Sequence, residues 1–165
     1  MRLYLMRHGI AIDREEPGCP PEAERFLTPE GIEKTREAAR GLRALGVEPD
    51  VFLTSPLVRA VQTAEIVAAE LGMAREAIVK TDALRYPMRA SEFFKTVANT
   101  KRDEVICFGH APPLDEMIAH AAGARGVCTA LKKAGVACLE MESFSPVRGT
   151  LLWLMTPKAL RGLSQ

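Results

Sequence analysis

Three short apolar runs, Leu3–Met6, Val51–Thr54 and Val105–Phe108, are each followed at once by a turn and then by a helical pattern. This alternation constrains the chain more than any other feature. Unbroken apolar runs of this length suit strands covered on both faces, and strands alternating with helices return to pair in parallel. The expected architecture is an α/β fold, a sandwich of helices around a mainly parallel sheet.

The helix starts carry their own chemistry. Thr28-Pro29-Glu30 has Thr to cap, Pro for the first helical position and an acid for the first turn; Ile32, Ala39, Leu42 and Leu45 supply an apolar stripe, and Gly46 a stop. Ser55-Pro56 reads as a second start, with Ser55 as the cap of a helix over Leu57–Leu71 that ends at Gly72. The apolar positions of that helix leave Arg59 on another part of its first turn. Ala77–Val79 is a weaker strand, and Ser91 a cap for a short helix carrying Phe93, Phe94 and Val97. Ala111-Pro112-Pro113 leads into a helix through Leu114, Met117, Ile118 and Ala121. Val136–Met141 and Thr150–Met155, separated by a Ser/Pro/Gly turn, read as a hairpin that adds an antiparallel portion. The polar stretch Asp13 to Arg25 is a loop.

The 165 residues suit one domain, 1–165, with 47% apolar and 26% charged side chains. The net charge of +1 excludes the global positive field of a nucleic-acid binder, so any bound phosphate must be held locally. Cys19, Cys107, Cys128 and Cys138 show neither C-x-x-C nor zinc spacing and read as reduced thiols. Arg7 and His8 interrupt the first apolar run too early for a signal sequence, and no run reaches membrane-spanning length. A cytoplasmic location, no membrane and no metal or other cofactor are expected.

Three strand ends deliver basic or imidazole groups: His8 with Arg7, Arg59, and His110. That is the edge at which open α/β sheets bind ligands, and Arg59 also sits near a helix N-terminus, which favours anions. A phosphoryl group in transfer spreads charge over three oxygens, so two guanidiniums and an imidazole are suited to hold it. His8 is then left as nucleophile. Its attacking nitrogen must be unprotonated, which requires the other ring nitrogen to donate to an acceptor, and the tight turn permitted by Gly9 can supply a backbone carbonyl. Each piece alone has an ordinary structural reading. His120 reads as a surface or packed histidine, Lys132-Lys133 as a solvated face, and Arg85 and Arg89 as surface arginines, with the pocket rim as their alternative.

The segments Leu5-Met6-Arg7-His8-Gly9, Leu27-Thr28-Pro29-Glu30-Gly31, Thr54 through Glu65 and Gly109-His110 together resemble the histidine phosphatase (phosphoglycerate mutase-like) superfamily. The short chain and Leu131 through Ala137 are most similar to the small SixA-type phosphohistidine phosphatases. The resemblance implies a three-layer α/β/α sandwich with a mixed sheet and no large cap insertion. It also implies a phosphate pocket of Arg7, His8, Arg59 and His110, with the Ala111 amide assisting. Mutase-like relatives carry a carboxylic acid in a longer insertion between the middle strands; the connection from Val79 to Val105 is short and offers no obvious counterpart. Asp13, Glu15 and Glu16 are the substitutes, each also readable as a surface residue.

The expected function is metal-independent hydrolysis of protein phosphohistidine through a covalent phospho-His8. The imidazole leaves readily from phosphorus without the acid an alkoxide needs, and an uncapped site admits a protein side chain. The alternatives are a phosphomonoesterase for a small metabolite or nucleotide, and a catalytically poor module that binds a phosphorylated protein. Oligomeric state is not legible.

Overall fold

The computed structural model describes residues 1–165. Its six strands are β1 (Arg2–Arg7), β2 (Val51–Thr54), β3 (Ile78–Lys80), β4 (Glu104–Gly109), β5 (Val136–Phe144) and β6 (Val147–Met155). The five α-helices are α1 (Pro29–Ala44), α2 (Val58–Glu70), α3 (Ala90–Asn99), α4 (Pro113–Ala121) and α5 (Pro157–Leu163).

The strand order is β3-β2-β4-β1-β5-β6. The first four strands of that order run parallel, β5 is antiparallel to β1, and β6 is antiparallel to β5. The parallel strands are apolar on both sides because both sides are covered. Leu3, Leu5, Val105, Cys107 and Leu139 point into one core with Phe93 and Phe94 of α3 and Leu114 and Ile118 of α4. Tyr4, Met6, Ile106, Phe108 and Cys138 point into the other with Leu42 of α1, Val67 of α2 and Leu160 of α5. The molecule is thus the expected three-layer α/β/α sandwich with a mixed sheet.

Local expectations meet mixed outcomes. The Thr28 hydroxyl caps α1 by accepting from the Gly31 amide at 3.0 Å. Ser55, read as the cap of α2, is not one: Leu57 holds the N-cap position with no side-chain cap bond. Ser55 is instead fully buried, its hydroxyl 2.9 Å from His110 Nε2. Ser91 is no cap either, since α3 begins one residue earlier with Arg89 at its N-cap. The loop from Asp13 to Arg25 contains a 3-10 turn at Glu22–Glu24.

Gly9 is needed for a reason other than the expected turn. A Cβ there would collide with Thr35 Oγ1 and crowd the Gly31 carbonyl at 3.2 Å, so the glycine lets the first strand end press against α1. Gly31 reciprocates, because a Cβ there would strike the Ile10 carbonyl.

Candidate active site

Parallel pairing brings the ends of β1, β2 and β4 to one edge, with Arg7 beside Gly109 and Thr54 beside Phe108. The antiparallel β5 begins there, Met6 facing Val136. Backbone bonds lock these ends together: the His8 amide donates to Gly109, the Ser55 amide to Phe108, the Arg7 amide to Gly135, and the Ala134 amide to the carbonyls of Arg7 and His8. A cavity of about 700 Å³ opens at this edge, and Arg7, His8, Arg59, His110 and Ala111 all line it. Residues far apart in the chain converge because the sheet order forces them to.

His8 Nδ1 lies 2.7 Å from its neighbour's carbonyl, Gly9 O, which accepts only if Nδ1 carries the proton. Nε2 then keeps its lone pair, and Arg59 Nε donates toward it at 3.3 Å. Burial pushes the His8 imidazole down to about 3; the Gly9 bond opposes the shift, while His110, Arg59 and Arg7 add to it. His110, its ring 5.2 Å from that of His8, is pushed to about 4, again by burial first and Arg59 second. Both rings are therefore neutral at neutral pH. Thr63, fully buried, ties the two segments together: it accepts from the Gly9 amide at 3.0 Å and donates to the Arg59 carbonyl at 2.7 Å.

Arg59 is almost wholly buried, yet its nearest acid was not among the candidates read from the sequence. Glu22, from the 3-10 turn, accepts from Arg59 Nη2 at 2.9 Å through its carboxylate and from Nη1 at 2.8 Å through its carbonyl. Arg14 and Arg25 bind the same carboxylate. The Arg14 hydrogen bonds, with Arg59 and Arg25 adding to them, hold its carboxyl down at about 2. Nothing in the sequence sets Glu22 apart from the other acids of its loop, Asp13, Glu15, Glu16 and Glu24. Of the three acids proposed, Asp13 lines the cavity but spends Oδ1 on the Glu15 amide, and Glu15 and Glu16 are exposed outside it.

A second acid that sequence reading missed is Asp115, buried in the first turn of α4. It accepts from Thr129 Oγ1 at 2.6 Å and from the Leu131 amide at 3.0 Å. The Leu131 carbonyl in turn accepts from Arg7 Nη1 at 2.9 Å. Asp115 thus fixes the segment that orients Arg7, and its charge favours the guanidinium against the lowering effect of burial. Nothing in the sequence separates it from any other acid in the first turn of a helix.

Two buried side-chain nitrogens have no hydrogen-bond partner, Arg7 Nε and His110 Nδ1, and both belong to this pocket. Arg85 takes the pocket-rim place that was its alternative, and Lys133, read as part of a solvated face, also reaches the cavity wall, so six cationic side chains face two carboxylates there in a chain of net charge only +1. Arg89 stays outside it, and His120 is exposed with its ring on Phe94 at 5.6 Å. No group of three or more His, Cys, Asp or Glu side chains is placed to share a metal ion. No helix is long and apolar enough to cross a membrane.

Comparison with known proteins places this geometry. An uncharacterized protein of Picosynechococcus is 38% identical over 141 residues, 82% of each chain. The solved protein histidine phosphatase SixA, complexed with tungstate, superposes with a TM-score of 0.82 at 24% identity over 97% of this chain and 99% of its own. A mycobacterial glucosyl-3-phosphoglycerate phosphatase in complex with inorganic phosphate superposes at 0.72 with 17% identity, over 95% and 98%. Residues 3–86, which include Arg7, His8 and Arg59, match the model of the histidine phosphatase superfamily, branch 1, and the chain belongs to that family.

Proposed function

We propose that this chain is a phosphohistidine phosphatase that transfers the phosphoryl group of a protein phosphohistidine to His8 Nε2 and then to water. Arg7, Arg59 and His110, assisted by the Ala111 amide, hold the phosphoryl oxygens, and no metal is needed because the guanidiniums supply the compensating charge. Arg7 Nε has no partner within the protein, nor has His110 Nδ1, which donates when Nε2 accepts from the Ser55 hydroxyl.

In the first step the His8 Nε2 lone pair forms a bond to phosphorus while the P–N bond of the substrate breaks, its electron pair going to the leaving ring. A substrate imidazole protonated on its other nitrogen departs neutral. Phospho-His8, with its proton on Nδ1, is then the chemical twin of the substrate, so the exchange requires no proton transfer. In the second step water attacks phosphorus, the bonding pair returns to Nε2, and both water hydrogens leave with H₂PO₄⁻.

The observation that carries this reading is the bonding of Glu22. Its carboxylate accepts from Arg59, Arg14 and Arg25, and an acceptor tied to three guanidiniums is not a proton donor for a leaving group. An alkoxide leaving group depends on such a donor, worth ~100- to 10,000-fold, whereas neutral imidazole does not. The wide cationic cavity and the likeness to a glucosyl-3-phosphoglycerate phosphatase support a second reading, hydrolysis of a small phosphate ester.

The test compares turnover on a phosphohistidine protein with a panel of sugar phosphates and nucleotides, and follows it with an alkaline quench and peptide mass spectrometry. Faster turnover of the P–N substrate and one phosphate on the His8 peptide are expected. Preferred turnover of esters would overturn the substrate; an adduct on His110 would overturn the nucleophile.

A further inference from the structure

Beyond the phosphoryl clamp, one wall of the cavity carries a feature of a different kind. Tyr86 is 73% exposed, more than any other large apolar side chain in the protein, and it lines the cavity that holds His8 and Arg59. Apart from the two histidines it is the only aromatic ring there. Its position is anchored on both sides: Leu84 is fully buried, and Met88 packs against the same core. A turn preceding it is closed by the Arg85 amide on the Asp82 carbonyl and capped by Thr81 on the Ala83 amide. An aromatic ring left in water at a fixed place on the wall of a phosphate pocket offers a face to whatever the phosphoryl group is attached to.

We propose that Tyr86 is the specificity residue for the leaving group, its ring stacking on a planar ring attached to phosphorus. This deepens the phosphohistidine reading and rests on it: an imidazole protonated on its distal nitrogen is flat and cationic, and the negative face of a phenol ring attracts both properties. Arg85 and Lys133 on the same cavity are suited to phosphoryl or acidic groups, and their charge repels a cationic ring.

The experiment uses two small P–N substrates, phosphohistidine as the free amino acid and phosphoramidate, which has the same bond without a ring. For Tyr86→Leu, kcat/KM on phosphohistidine falls by about three- to tenfold while the value on phosphoramidate stays within about twofold. Tyr86→Phe, which keeps the ring, stays near wild type on both. Equal losses on both substrates, no loss on either, or damage by Phe as large as by Leu would overturn the proposal. Unchanged thermal melting is expected for so exposed a residue and separates folding defects from these outcomes. A wild-type protein that turns over esters but neither P–N compound defeats the phosphohistidine reading instead. Phenyl phosphate against glycerol phosphate then puts the same ring question to Tyr86, and equal Tyr86→Leu effects on that pair would overturn the platform itself.

Discussion

Lowering the pH from neutral should destabilise this protein through the two histidines of its pocket. Burial holds His8 at about 3 and His110 at about 4, whereas in the unfolded chain both protonate near 6.5. Between those limits the unfolded state binds more protons, so stability falls as pH falls. Each histidine contributes about 1.4 kcal/mol per pH unit, and the pair about 2.7 from pH 6.5 to about 4. Glu22 adds a loss of the same sign, but only as pH drops below its ordinary value near 4.5. The expected loss is roughly 5 kcal/mol by about pH 4.5, a large share of the 5–15 kcal/mol typical of a domain. Urea unfolding across this range measures it, provided the denaturant slope is shown to stay constant. His8→Gln and His110→Gln each change absolute stability for packing reasons, so the quantity to compare is the pH slope. Each single variant should halve that slope and the double variant should flatten it. A wild-type curve that is flat above pH 4.5, or a slope untouched by either variant, would refute the claim that the pocket holds both imidazoles neutral. The same neutrality means that kcat/KM shows no acid limb near 6.5 arising from the nucleophile.

Arg59→Lys should lower kcat/KM by at least about tenfold, because an ammonium cannot bond His8 Nε2, Glu22 and a phosphoryl oxygen from one plane; steady-state kinetics at unchanged thermal melting checks this. Glu22→Gln keeps the acceptor on Arg59 but removes a negative charge, so competitive inhibition by inorganic phosphate should tighten roughly three- to tenfold, a modest effect because Glu22 is half exposed. Asp115→Ala leaves the Leu131 amide and Thr129 hydroxyl without their acceptor, costing about 1–3 kcal/mol in urea unfolding. It should also raise KM through a displaced Arg7. Prolonged dialysis against a chelator should leave turnover unchanged, and loss rescued by a divalent cation would contradict a clamp built from guanidiniums.

The elements themselves were legible in the residues, because their causes are local. Four apolar residues in a row at Leu3–Met6 or Val105–Phe108 specify a strand covered on both sides, and Thr28-Pro29 specifies a helix start whatever the rest of the chain does. The tether on His8 was also readable, since its acceptor belongs to the adjacent residue, Gly9. Ser55 was misread for the complementary reason. A serine before a proline looks like a cap, and only the pairing of β2 with β4 places His110 beside it as a competing partner. Glu22 and Asp115 lay beyond sequence reading altogether. Glu22 lies 37 residues from Arg59, and Asp115 acts on Arg7 through Leu131, 124 residues from that arginine. Capping and periodicity act within one or two turns of chain. Which carboxylate meets which guanidinium, and which imidazole is buried deeply enough to stay neutral, depends on the order of strands in the sheet and on how loops fold back over its edge. Those distances exist only after the layers have packed.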